Sequence, residues 1–141
     1  MTASPSSLVG GKPTVFPRKR MIAYWVTTVF VAGNSAVAGV LDILRLQPFF
    51  GVLLHLGYPA YFSSILGVWK VLGALALLAP RSPRLKEWAY AGLFFDFTAA
   101  TASHAAVGEV AQVVGPLSSI VFLAASWALR PPARRIEASQ G

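Results

Sequence analysis

Four apolar stretches divide this chain, residues 22–41, 61–79, 88–106 and 110–129, and polar or basic residues gather in the connections between them. A helix rises about 1.5 Å per residue, so roughly 20 residues suffice to cross the hydrocarbon layer of a bilayer. The pattern predicts an all-α fold, an integral membrane four-helix bundle over residues 21–130. Residues 1–20, rich in Ser, Pro and Gly, read as a disordered basic N-terminal tail, and residues 131–141 as a basic C-terminal tail. No small-residue cleavage site follows the first stretch; Asp42 and Arg45 come instead, so it reads as a mature membrane helix rather than a signal peptide.

The first connection, residues 42–60, carries the run Pro48-Phe49-Phe50-Gly51-Val52-Leu53-Leu54 before His55. The run is too short to span and too apolar for a free loop. It predicts a short interfacial helix begun at Pro48, either an anchor at the outer surface or a lid over a cavity. Gly115-Pro116 is expected to delay or kink the start of the fourth helix.

Charge then orients the spans. Of twelve Lys and Arg residues, Lys12, Arg18, Lys19, Arg20, Arg81, Arg84, Lys86, Arg130, Arg134 and Arg135 fall on one side of a four-span chain. By the positive-inside rule that side is cytoplasmic, which places both termini there. This distribution also accounts for the net charge of +7 without a nucleic-acid partner. Only 12% of residues are charged and the mean hydropathy is +0.61; soluble domains carry about 25% charged residues. Tyr24, Trp25, Tyr61, Trp88 and Trp127 suit interfacial belts. With no cysteine, disulfides, thiol redox chemistry and thiolate metal sites are excluded.

Two charges interrupt the apolar stretches. Lys70 lies nine residues before Ala79 and Asp96 ten after Lys86, so a chain reversing at residues 80–86 brings both to about 14 Å depth. An intramembrane charge is costly and is a functional-site candidate by default. Small residues share their faces: Ser63, Gly67, Gly73 and Ala74 with Lys70; Ala89, Gly92, Ala99, Ala100 and Ser103 with Asp96. Such stripes let membrane helices approach closely. Asn34 is expected to hydrogen-bond into the same core, and Trp69 to face lipid. The pair reads either as a buried salt bridge that fixes helix register or as a group that binds or moves protons.

Toward the outer face, Asp42, Arg45, His55 and Glu109 form an expected polar cluster, with His104 eight residues beyond Asp96. Histidine beside a carboxylate can relay protons; hydrated helix ends are the plainer reading. No spacing motif marks a metal site, no facing histidines mark a haem, and no phosphate loop, nucleotide fingerprint or nucleophile elbow occurs.

The segments Tyr58-Pro59-Ala60-Tyr61-Phe62, Ile65-Leu66-Gly67-Val68-Trp69-Lys70-Val71-Leu72-Gly73, Pro83-Arg84-Leu85-Lys86-Glu87-Trp88-Ala89-Tyr90-Ala91-Gly92, Phe94-Phe95-Asp96 and Ser103-His104 resemble the DoxX-like family of small bacterial four-helix membrane proteins. The resemblance covers residues 22–130 and implies an inner-membrane protein. It also implies an association with quinone-linked oxidoreductase systems through a partner subunit; it transfers no catalytic residue, and whether the chain is an enzyme stays open. Three functions remain: an accessory redox-linked component with a bound quinone and no intrinsic cofactor, in which Lys70, Asp96, Asn34, Ser103 and His104 are the binding candidates; a proton-coupled or small-molecule carrier, expected to be a homo-oligomer; and a purely structural assembly subunit.

Overall fold

A computed structural model describes residues 15–136; the remainder of both tails, Lys12 included, lies outside the described residues. Every regular element among them is helical: α1 Arg18–Ile43, α2 Phe49–His55, α3 Ala60–Leu78, α4 Pro83–Ala106, a 3₁₀ turn Val110–Val113, α5 Val114–Leu129 and a second 3₁₀ turn Pro132–Arg134. Helix α1 packs on α3 and α5, and α4 closes the ring against the same two. Helix α1 begins at Arg18, inside the stretch read as a tail, and the 3₁₀ turn at Pro132 continues the fold past residue 130.

Three helices are long and apolar enough to cross a membrane: Arg18–Ile43, Ala60–Leu78 and Val110–Leu129. Helix α4 is equally long, but Asp96, Thr98, Thr101, Ser103 and His104 dilute its apolar character. The exterior is greasy, with Trp69, Phe95 and Val121 more than half exposed, as suits a chain solvated by lipid. Inside lie Val31, Ala32, Ala74, Leu77, Leu93, Phe97 and Leu123.

One kind of turn ends three helices. At α1 the amides of Arg45 and Leu46 donate to the carbonyls of Asp42 and Leu41; at α2 those of Gly57 and Tyr58 donate to Leu54 and Leu53; at α4 those of Gly108 and Glu109 donate to Ala105 and His104. These paired bonds satisfy carbonyls left open at a helix end and require a left-handed residue at the turn. Gly57 (φ 91°) and Gly108 (φ 80°) adopt it without a Cβ penalty, whereas Arg45 (φ 54°) holds it as a non-glycine residue. The apolar run after Pro48 does fold as a helix, α2. Before α5 the 3₁₀ turn takes up Val110–Val113, so Pro116 falls in the first turn of the α-helix, where a missing N–H costs no intrahelical bond.

Helices α1 and α3 meet backbone to backbone. A methyl group added at Gly39 would lie 2.7 Å from the Gly67 carbonyl oxygen, and one added at Gly67 would strike the Gly39 carbonyl and the Ile43 amide. This contact sets the distance between α1 and α3.

Candidate functional site

Thr28, Ser35 and Asp42 recur every seven residues along α1 and all are buried. Seven residues make nearly two helical turns, so the three share the inward face. Asp42, one residue before the end of α1, therefore points in among the helices. The Lys70 ammonium donates to Asp42 Oδ2 at 3.0 Å, while Asp96 Oδ2 lies 4.0 Å from the same nitrogen. The Ser63 hydroxyl donates to the Asp42 backbone carbonyl at 2.8 Å and pins this end of α1 to α3.

The centre is thus a triad of one ammonium between two carboxylates. The expected Lys70–Asp96 pair is present at ion-pair distance, but the hydrogen bond goes to Asp42. That residue accordingly leaves the outer cluster in which the sequence reading placed it, because α1 runs two residues past its apolar stretch. Asp42 Oδ1 is buried and has no hydrogen-bond partner among the described residues. The Lys70 and Asp96 side chains each keep 14% of their surface open, against 1% for Asp42.

Asn34 does not join this core. It is exposed, because it falls one residue before inward-facing Ser35 and so about 100° away around α1. Among the described residues Thr27 bonds only to carbonyls of its own helix, Ala23 and Tyr24.

The outer end is held by Glu109. His55 Nε2–H donates to Oε1 at 2.8 Å and His104 Nδ1–H to Oε2 at 2.9 Å. The turn closing α4 folds Glu109 back over His104, and α2 brings His55 from the other side. The hydrogen bond from His104, foremost, and then that from His55 hold the Glu109 carboxyl below its ordinary range. Ser103 bonds to Tyr58, hydroxyl to hydroxyl at 2.7 Å, and not to the triad. Arg45 is exposed and makes no ion pair with Asp42; its place is conformational. Among the described residues no group of three or more His, Asp or Glu side chains is arranged to hold a metal ion.

The basic end holds a network that the sequence reading missed. Ser126 Oγ lies 2.6 Å from the Thr28 hydroxyl and 2.8 Å from that of Tyr90, all three buried. Arg130 pairs with Glu87 and lies over the rings of Tyr90 and Trp127, while Arg134 lies over Trp25 at 4.6 Å. Arg134 and Arg135, in the stretch read as a basic C-terminal tail, are therefore held against the helices.

Lys86 is fully buried, its ammonium donating to the carbonyls of Leu77 and Ala76 (3.3 Å) at the end of α3. It caps the open carbonyls there. Ser82 and Pro83, good N-cap and first-turn residues, were the available signal that Lys86 sits within a helix. Burial, with Arg134 and Arg130 adding repulsion, lowers its pKa from 10.5 to about 8. The neutral amine keeps two N–H groups, enough for both carbonyls.

A prediction follows from the sign of that shift. Between pH 8 and 10.5 the unfolded chain holds a proton on Lys86 that the folded chain has released, so stability rises with pH across this window. Melting temperature in detergent should rise there for the wild type and lose that rise in Lys86→Met. An equal rise in the variant would count against the assignment.

Residues 13–129 match the sequence profile of the DoxX-like family. No curated protein and no solved structure matches this chain.

Proposed function

The chain belongs to the DoxX-like family, and on that premise we propose that it is an accessory, redox-linked component of the bacterial inner membrane whose Asp42–Lys70–Asp96 triad binds a quinone. In this reading α1, α3, α4 and the 110–129 helix are four spans of one bundle, with both termini cytoplasmic. Ten of the twelve basic residues then share one side, and the contacts of α4 with α3 and α5 shield the inner part of its polar face. A reporter fused to either terminus should be cytoplasmic; a periplasmic reading at the C-terminus would overturn the four-span arrangement.

The observation that carries the functional reading is the Lys70 ammonium, 3.0 Å from the Asp42 carboxylate at the end of α1 and 4.0 Å from the Asp96 carboxylate midway along α4. One cation between two carboxylates leaves a net negative charge in a medium that penalises it heavily. An intramembrane charge cluster of this kind is a binding-site candidate. Lys70 and Asp96 are its more open members, with Trp69 and Phe95 beside them in sequence, each 68% exposed. A lipophilic quinone lying against α3 and α4 would accept a hydrogen bond from Lys70 through a carbonyl oxygen. We assign the chain no redox step of its own: the electrons belong to a partner oxidoreductase subunit.

Purification in mild detergent followed by organic extraction tests this. Wild type should carry quinone, and Lys70→Met and Asp96→Asn should lose it by about tenfold, the effect of removing one charge-assisted hydrogen bond. Wild type that carries no quinone, even after incubation with added quinone in vesicles, would sink the proposal. Proton-coupled flux into such vesicles, abolished in Lys70→Ala, would instead support the carrier alternative.

A further inference from the structure

We propose that two copies of this chain associate in the bilayer through α1, with their Asn34 amides hydrogen-bonded to each other. Asn34 lies nine residues from Trp25 and nine from Ile43, about 13 Å along the helix from each. That is well inside Arg18–Ile43, a helix apolar and long enough to cross a membrane. The side-chain hydrogen bonds of α1 are made by Arg20, Tyr24, Thr27, Thr28 and Asp42, which leaves exposed Asn34 with none among the described residues. At this depth the short side chain cannot reach the headgroups, and hydrocarbon offers neither donor nor acceptor. A polar side chain facing out of a membrane helix finds its partner on another helix.

The chemistry of the amide selects a second copy as that partner. Asn presents one acceptor oxygen and two donors, so two such groups satisfy each other reciprocally. Copies inserted in the same direction and related by a two-fold axis along the membrane normal carry Asn34 at identical depth, so the amides meet without adjustment. The surface beside them suits a close approach. Ala36, Val37, Val40 and Leu41 line a shallow apolar groove of about 290 Å³. One residue before Asn34, Gly33 has open space where a Cβ would stand. Val37 and Leu41 lie one and two turns beyond Asn34 on the same side of α1. This inference needs α1 to span the bilayer and does not depend on the triad or on which side the termini face.

The absence of cysteine makes the test direct. Val37→Cys on α1 and Leu75→Cys on the exposed face of α3 are placed singly in the full chain, and membranes are oxidised before solubilisation. A covalent dimer of twice the chain mass is expected from Val37→Cys and little from Leu75→Cys. Adding Asn34→Leu to Val37→Cys should lower the dimer yield roughly three- to tenfold, the range for one interhelical hydrogen bond in a membrane, while Asn34→Gln retains most of it. Asn34→Leu replaces an exposed residue, so its melting temperature in detergent should match the parent; Asn34→Ala repeats the comparison with a smaller side chain. Equal yields at residues 37 and 75, a yield unaffected by either apolar replacement, or a cross-link to a different protein would each overturn the proposal.

Discussion

Lys70→Met is expected to destabilise the folded chain by about 3–5 kcal/mol, the cost of leaving a buried carboxylate without its counter-charge. The carboxylate at issue is Asp42, fully buried, hydrogen-bonded to Lys70 at 3.0 Å and otherwise unpartnered at Oδ1. The double variants then separate two descriptions of the site. If Asp42 is the principal partner, Lys70→Met with Asp42→Leu recovers most of the lost stability, because an apolar pair replaces a buried ion pair at little net cost. Lys70→Met with Asp96→Leu recovers little, since Asp42 stays alone in the interior. The reverse order, measured by thermal or denaturant unfolding in detergent, would show that Asp96 4.0 Å away is the dominant partner. The Ser63 bond is common to all variants because it goes to the Asp42 backbone. The same proteins also divide binding from packing: a stable Lys70→Met/Asp42→Leu protein that has lost its quinone argues for a site, whereas one that binds as before argues that the triad only sets helix register.

The central lysine, the reversal that brings Asp96 beside it and the small-residue stripe on α3 were all readable from spacing alone. Asp42 was misplaced because hydropathy ends the first stretch at residue 41, while the helix continues through Ile43 and its closing turn needs a left-handed Arg45. The seven-residue recurrence of Thr28, Ser35 and Asp42 held the information, and the same phase shows that Asn34 faces outward. Two of the five residues of the expected stripe on α4 were misread in a similar way: Gly92 and Ala99 are exposed, and Leu93 and Phe97 fill the core instead. The outer histidines and Glu109 could be named as a group, but their pairing depends on a helix-ending turn whose geometry is not a matter of periodicity. Lys86 was invisible as a buried residue because its positive charge served equally well as a cytoplasmic marker.

Gly67→Ala is expected to cost about 1–3 kcal/mol, the usual range for overpacking, and Gly67→Leu to abolish the folded state. In most helices glycine to alanine is favourable, by about 0.5–1 kcal/mol, because it lowers the conformational freedom of the unfolded chain. At Gly67 the sign reverses, since the new methyl group would collide with the Gly39 carbonyl and the Ile43 amide. Backbone atoms cannot rotate away as a side chain can, so α1 and α3 must separate. That separation also lengthens the reach from Lys70 to Asp42, because the same two helices carry them. Gly92→Ala supplies the internal comparison: nothing lies within 4 Å of its new methyl group, so it should be neutral or mildly stabilising. Matching unfolding curves for Gly67→Ala and Gly92→Ala would show that α1 and α3 do not meet through their backbones. If instead Gly67→Ala is both destabilised and depleted of bound quinone while Gly92→Ala keeps both properties, the close approach is what holds the central triad in place.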